Sequence, residues 1–180
     1  MQQMDNKVHY ITQNLQNVLT DIYIDTLDLN QDSTIGTLYY NSGEVYYNGQ
    51  LMYGMCGFGT SYYKSGNKWY TGYWDNDVWT GKGIIYYETG EKYFEGTFVN
   101  GEAQGKGTFY YKSGIPEFSG NFVNGERNGM GIKHYKTGEI YYFGTFVNNK
   151  ENGHGIIYRK SGHEYCEGLF KDGEFVKDYI

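Results

Sequence analysis

A mainly β fold, an array of repeated antiparallel hairpins with one helix ahead of it, is what this 180-residue sequence predicts. Three observations point there. Glycine supplies 27 residues while alanine and proline appear once each, and glycine costs about 1 kcal/mol at each helical position. Aromatic side chains make up 19% of the chain, and flat rings suit a pleated surface. Above all, the glycines keep time. A Gly-x-Gly triplet recurs at Gly57/Gly59, Gly81/Gly83, Gly105/Gly107, Gly129/Gly131 and Gly153/Gly155, every 24 residues. Gly72, Gly96, Gly120, Gly144 and Gly168 share that period, as do Gly66, Gly90, Gly114, Gly138 and Gly162. Gly43 stands 23 residues before Gly66, a single deletion that falls between Gly54 and Gly57. Such self-similarity marks a repeat array.

The elements follow in chain order. Val8, Ile11, Leu15, Val18, Leu19 and Ile22 follow helical spacing with Asp5 as N-cap, so an amphipathic helix or cap is expected over residues 1–21. Its apolar stripe needs a surface, on the array or on another chain. Residues 22–175 form the array, and 22–35 are a degenerate half-unit, since Ile22–Leu27 aligns with Tyr93–Phe98. A full unit runs from Gly105 to Asn128. Gly105–Tyr111 is its first strand, Lys112-Ser113-Gly114 a hairpin loop with glycine at positive φ, and Glu117–Phe122 the second strand. Asn124-Gly125 turns into the next unit; the equivalents of Gly125 are Gly54, Asp77, Gly101, Asn149 and Gly173, all types that tolerate positive φ. Residues 176–180 are read as a tail.

Alternation along the strands assigns the faces. Phe118, Gly120 and Phe122 share one, as do Phe94/Gly96/Phe98, Tyr142/Gly144/Phe146 and Tyr70/Gly72/Trp74. Each glycine leaves a notch for a ring from the neighbouring strand. The pairs Tyr62-Tyr63, Tyr86-Tyr87 and Tyr110-Tyr111 place one ring on each face, and Trp69, Tyr93, Tyr141 and Tyr165 fall opposite the notches. No unit has a core of its own, so stability comes from neighbours.

Composition excludes several classes. Net charge is −6, with one Lys and five Asp in residues 1–35, which argues against nucleic acid and weighs against an anionic membrane surface. No apolar run approaches the ~20 residues of a spanning helix. The first 20 residues lack a basic start and a cleavage site, and Cys56 and Cys166 form no disulfide framework. A cytoplasmic or other reducing compartment is expected.

The element Tyr70-Thr-Gly72-Tyr-Trp74, repeated as Phe94-Glu-Gly96-Thr-Phe98, Phe118-Ser-Gly120-Asn-Phe122 and Tyr142-Phe-Gly144-Thr-Phe146, with its Gly-x-Gly pairs and Asn-Gly turns, resembles the MORN repeat. The resemblance spans residues 36–175. The unit is one residue longer than usual in that family, and Arg159 and Cys166 replace aromatics in the last copy. The resemblance implies an elongated, twisted, single-layer antiparallel sheet with one grooved face, and a non-catalytic scaffold that grips a partner's helix or peptide there, often with the cytoskeleton. Related hairpin repeats occur in antitoxin or immunity proteins that neutralise a toxin, and some members are proposed to bind phospholipids.

Candidate chemistry is sparse. His134 and His154 occupy repeat slots, His163 follows a hairpin turn, and His9 lies on the expected helix. A metal site from His154, His163 and Cys166 would need ligands converging from two strands and a loop. No serine or cysteine has the setting of a nucleophile, and the Gly-x-Gly pairs open strands where a phosphate loop opens a helix. Asp28, Asn30 and Asp32 space like the start of a calcium loop, but Ser33 stands at its glycine and Tyr39 at its glutamate. Lys64, Lys112, Lys136 and Lys160 share a sheet edge with Glu44, Glu91 and Glu139, a mixed field.

The expectation is therefore no enzyme, no cofactor and no metal. Protein partners are expected at an aromatic face, with Tyr63, Tyr87, Tyr111, Tyr135, Trp74, Phe98, Phe122 and Phe146 as contact residues. Tyrosine and tryptophan are enriched in interface hot spots. Open sheet ends leave room for a homodimer.

Overall fold

The computed structural model describes residues 22–24 and 34–178, with side-chain burial for 35–176. The helix expected over 1–21 and the Asp28, Asn30, Asp32 loop lie outside the described residues. Among those described there are fourteen strands and no helix. They fall into two units, Met1–Glu102 and Ala103–Ile180.

In the first, β1(Ile22–Ile24), β2(Thr34–Tyr40), β3(Val45–Leu51), β4(Met55–Tyr62), β5(Lys68–Asp75), β6(Val78–Tyr86) and β7(Lys92–Val99) pair antiparallel in sequence order. In the second, β8(Glu102–Tyr110), β9(Pro116–Val123), β10(Glu126–His134), β11(Ile140–Val147), β12(Lys150–Tyr158), β13(Glu164–Lys171) and β14(Glu174–Asp178) do the same. β1 pairs Ile24 with Leu38, one residue out of the register implied by aligning Ile22–Leu27 with Tyr93–Phe98. β14 runs through residue 176, so the boundary drawn at 175 falls inside a strand paired with β13.

Both kinds of turn carry the backbone expected of them. Gly114 has φ 82° and donates its N–H to the Tyr111 carbonyl at 2.9 Å. Asn124 and Gly125 sit at φ 49° and 78°, the two consecutive left-handed residues of a tight hairpin turn. The missing residue of the first unit is absorbed in the turn at Tyr53-Gly54, where Leu51 pairs with Met55 while Gly49 still faces Gly59.

Register sets the glycines in a row. In the first unit Gly36, Gly49, Gly59, Gly72, Gly83 and Gly96 stand opposite one another strand by strand. In the second, Gly107, Gly120, Gly131, Gly144, Gly155 and Gly168 do so. The notch is filled from its own strand, correcting the neighbouring-strand expectation. Phe118 lies flat over Gly120 and Gly131, so that a Cβ on either would meet its Cζ at 2.5 Å. Tyr70 lies likewise over Gly72 and Gly83 and donates its hydroxyl to the Tyr73 carbonyl at 3.0 Å.

A second correction concerns the faces. Each loop-linked hairpin contains a bulge just after its loop. Ser61 pairs with Tyr70 and Tyr62 with Lys68, leaving Trp69 unpaired. Lys133 pairs with Tyr142 and His134 with Ile140, leaving Tyr141 unpaired. An extra residue breaks strict alternation. Trp69 therefore joins Tyr70 on one face, and both touch Trp79, at 5.5 and 4.6 Å between ring centroids. Tyr141 lies under Lys133, the residue opposite Tyr142. The rings assigned to the second face at positions 69 and 141 thus lie on the first, and Tyr93 and Tyr165 occupy the same bulge position.

A candidate interaction face

The ring face is built from rows that cross the strands. In the first unit one row reads Leu38, Tyr47, Ser61, Tyr70, Ile85, Phe94. In the second it reads Phe109, Phe118, Lys133, Tyr142, Ile157, Cys166. Beyond the glycines lie Trp74 and Phe98, then Phe122, Phe146 and Phe170. Each ring of the first kind packs edge-on against its own partner and the next unit's: Tyr70 meets Trp74 at 5.1 Å and Phe98 at 5.5 Å, and Phe118 meets Phe122 at 5.4 Å and Phe146 at 5.0 Å. Such pairs add about 0.5–1.5 kcal/mol beyond area burial.

This zipper decides the fate of the expected contact residues. Trp74, Phe98, Phe122 and Phe146 are at most 2% exposed. They are core. The physical reason is the flat-lying ring two strands of contact away, which covers what alternation alone would leave open. Tyr63, Tyr87, Tyr111 and Tyr135 are half-buried at the loop edge. Three of them staple successive hairpins: Tyr63 donates to the Tyr86 carbonyl at 2.8 Å, Tyr111 to that of His134 at 2.9 Å, and Tyr135 to that of Tyr158 at 2.9 Å. Burial pushes the Tyr63 hydroxyl up to about 12, with Glu88 and Tyr40 adding to the shift. Their edges stay accessible, but their hydroxyls hold the fold.

Sequence reasoning missed a set of charged residues on the same face. One repeat slot, reading Met55, Trp79, Ala103 in order, continues as Arg127 and Glu151; another, Ser61 and Ile85, continues as Phe109 and Lys133. Aligning these columns was enough to find them. The Arg127 guanidinium lies 5.5 Å over the Phe118 ring and 5.9 Å over that of Phe146. Lys133 Nζ stands 2.6 Å from Glu151 Oε1 and 5.5 Å over the Tyr141 ring. Burial, then Glu151, raises the Tyr141 hydroxyl above its ordinary range. Next to this cluster, His134 keeps a buried Nδ1 with no hydrogen-bond partner, and burial lowers its pKa.

The remaining candidates are placed as follows. His154 faces Glu167 at 3.4 Å and His163 faces Ser161 at 3.1 Å. Among the described residues no three metal-ligating side chains come together. At the loop edge Lys64 stacks 5.2 Å over Tyr40 and Lys160 5.5 Å over Tyr135, while Glu44 and Glu139 accept hydrogen bonds from Ser42 and Thr137. Those hydroxyls hold both carboxyls below their usual range. That edge is a mixed field. The second face carries hydroxyl pairs such as Thr60 with Thr71 at 3.1 Å, beside the exposed rings of Phe58 and Tyr73.

No curated protein matches the chain. The MORN repeat model matches five times, over residues 47–68, 70–92, 94–115, 118–140 and 142–164. MORN repeats form a non-catalytic family, generally engaged in protein or membrane interaction. With more than half of its length in those five matches, the chain belongs to the MORN repeat family.

Proposed function

We propose that the chain is a non-catalytic scaffold in a reducing compartment, holding a helix or peptide segment of a protein partner against the ring face of Ala103–Ile180. One observation carries this reading. The bulge-position rings of the ring face are more open in Ala103–Ile180 than in Met1–Glu102. At the bulge position Tyr46 is 0% exposed, whereas Tyr165 is 63% exposed. Phe109, Tyr135, Tyr141 and Ile157 are half-buried on the same face. Partly accessible rings on a rigid backbone bind with little loss of side-chain freedom.

A photo-crosslinking residue tests it when placed at Tyr141 or Tyr165 and, as controls, at Phe58 or Tyr73 on the second face. In native cells, one polypeptide captured from positions 141 and 165 but not from 58 and 73 is the expected result. Capture from the second face alone, or adducts with lipid alone, overturns it. A small toxic enzyme as the captured species turns the scaffold into an antitoxin.

A further inference from the structure

The charges on the ring face of Ala103–Ile180 do not balance. Lys133 and Glu151 neutralise one another at 2.6 Å. Arg127 forms no ion pair among the described residues, although the chain as a whole carries −6. Its backbone is fixed on both sides: its N–H is donated to Asn149 Oδ1 at 2.9 Å, and its carbonyl accepts from the Asn149 N–H at 3.1 Å. Its guanidinium carbon lies 5.5 Å over the Phe118 ring and 5.9 Å over that of Phe146, which places the charge on the ring face. An arginine attracted to ring faces in this way keeps its N–H fork for a carboxylate. The slot does not demand a cation for folding, because Met55, Trp79 and Ala103 fill it elsewhere in the chain.

We infer that Arg127 reads a side-chain carboxylate on the bound segment. The occupant is an acidic peptide of a protein partner: one Asp or Glu docks on the guanidinium, and apolar residues beside it settle on Phe109 and Tyr141. The Lys133–Glu151 pair borders the site without competing for that carboxylate, because Lys133 already has its anion. This inference rests on the reading of the ring face as the docking face.

A phage-displayed library of random 16-residue peptides, panned against the full chain, tests both. Selected peptides are expected to share one acidic position flanked by apolar residues. In a synthetic copy of the best peptide, Asp→Asn or Glu→Gln at that position and Arg127→Leu in the protein each weaken binding roughly ten- to a hundredfold, the range of a charge-assisted hydrogen bond. The double change costs little more than either alone. Arg127→Lys, which keeps the charge and the fold, recovers part of the loss, and Arg127→Glu reverses the preference toward Lys or Arg. Peptides without a shared acid, or with one that Arg127→Leu leaves untouched, overturn this inference but leave the docking face standing. If no peptide is enriched, the docking face falls too.

Discussion

Trp79 and Glu151 hold the same slot of the repeat, one in each unit, and the two units part company around them. In Met1–Glu102 the slot and its neighbours carry all three tryptophans: Trp69, Trp74 and Trp79 touch one another or Tyr70 at 4.6–6.2 Å. In Ala103–Ile180 the Trp79 slot holds Ala103, Arg127 and Glu151, the Trp69 position holds Glu117, Tyr141 and Tyr165, and the Trp74 position holds phenylalanine throughout. Backbone and glycine rows are the same in both. Glycines and turns are what the two sheets share, while the slot residues on the ring face are what sets them apart.

Replacing Trp79 by alanine is the largest test of that division. The ring is 1% exposed and stacks on Tyr70, so its loss is expected to destabilise the chain by about 3–5 kcal/mol in chemical denaturation. Glu151→Ala, in the same slot, is expected to cost only about 1 kcal/mol. Equal losses at the two positions break the comparison.

The glycine rows make the opposite prediction, of equal effects. Gly83→Ala and Gly131→Ala each drive a Cβ into a flat-lying ring, Tyr70 or Phe118, and each is expected to cost about 1–3 kcal/mol. Gly105→Ala sharpens this. It has φ 73° and nothing within 4 Å of its Cβ, so it costs only the left-handed strain of about 1–2 kcal/mol.

Smaller still is Tyr135→Phe, which removes one hydrogen bond to the Tyr158 carbonyl and is expected to lower stability by about 1 kcal/mol. The least effect belongs to His134. Burial lowers its pKa in the folded chain, so the unfolded chain takes up the proton first. The stability contributed by neutral His134 is fully present above the ordinary histidine value of about 6.5 and is lost as pH falls from there through the lower pKa of the folded chain. His134→Tyr, the residue at this slot in Tyr86 and Tyr110, is expected to flatten the fall in melting temperature between pH 7 and 5. An unchanged fall removes His134 as its cause.

Much of this was legible beforehand. The glycine periods gave strands, turns, the deletion between Gly54 and Gly57 and the family, because each rests on backbone conformation that few residues can adopt. Faces were harder. Period-two reasoning placed Trp69 and Tyr141 wrongly because a bulge leaves no composition mark within one unit. Phe98 and Phe146 were mistaken for contact residues because alternation says which way a ring points, and nothing about what lies across it. Arg127, Lys133 and Glu151 escaped notice because the repeats were compared for what they share.

The bulge has a consequence for how the chain can change. One extra residue per hairpin gives the ring face two adjacent side chains where alternation allows one. The opposite surface is left to residues such as Thr60, Thr71 and Asn48, whose identity the packing hardly constrains. A substitution there meets little packing, whereas most of the ring face meets buried rings. A lineage of such proteins can thus acquire a new binding specificity on its second surface without risking the fold.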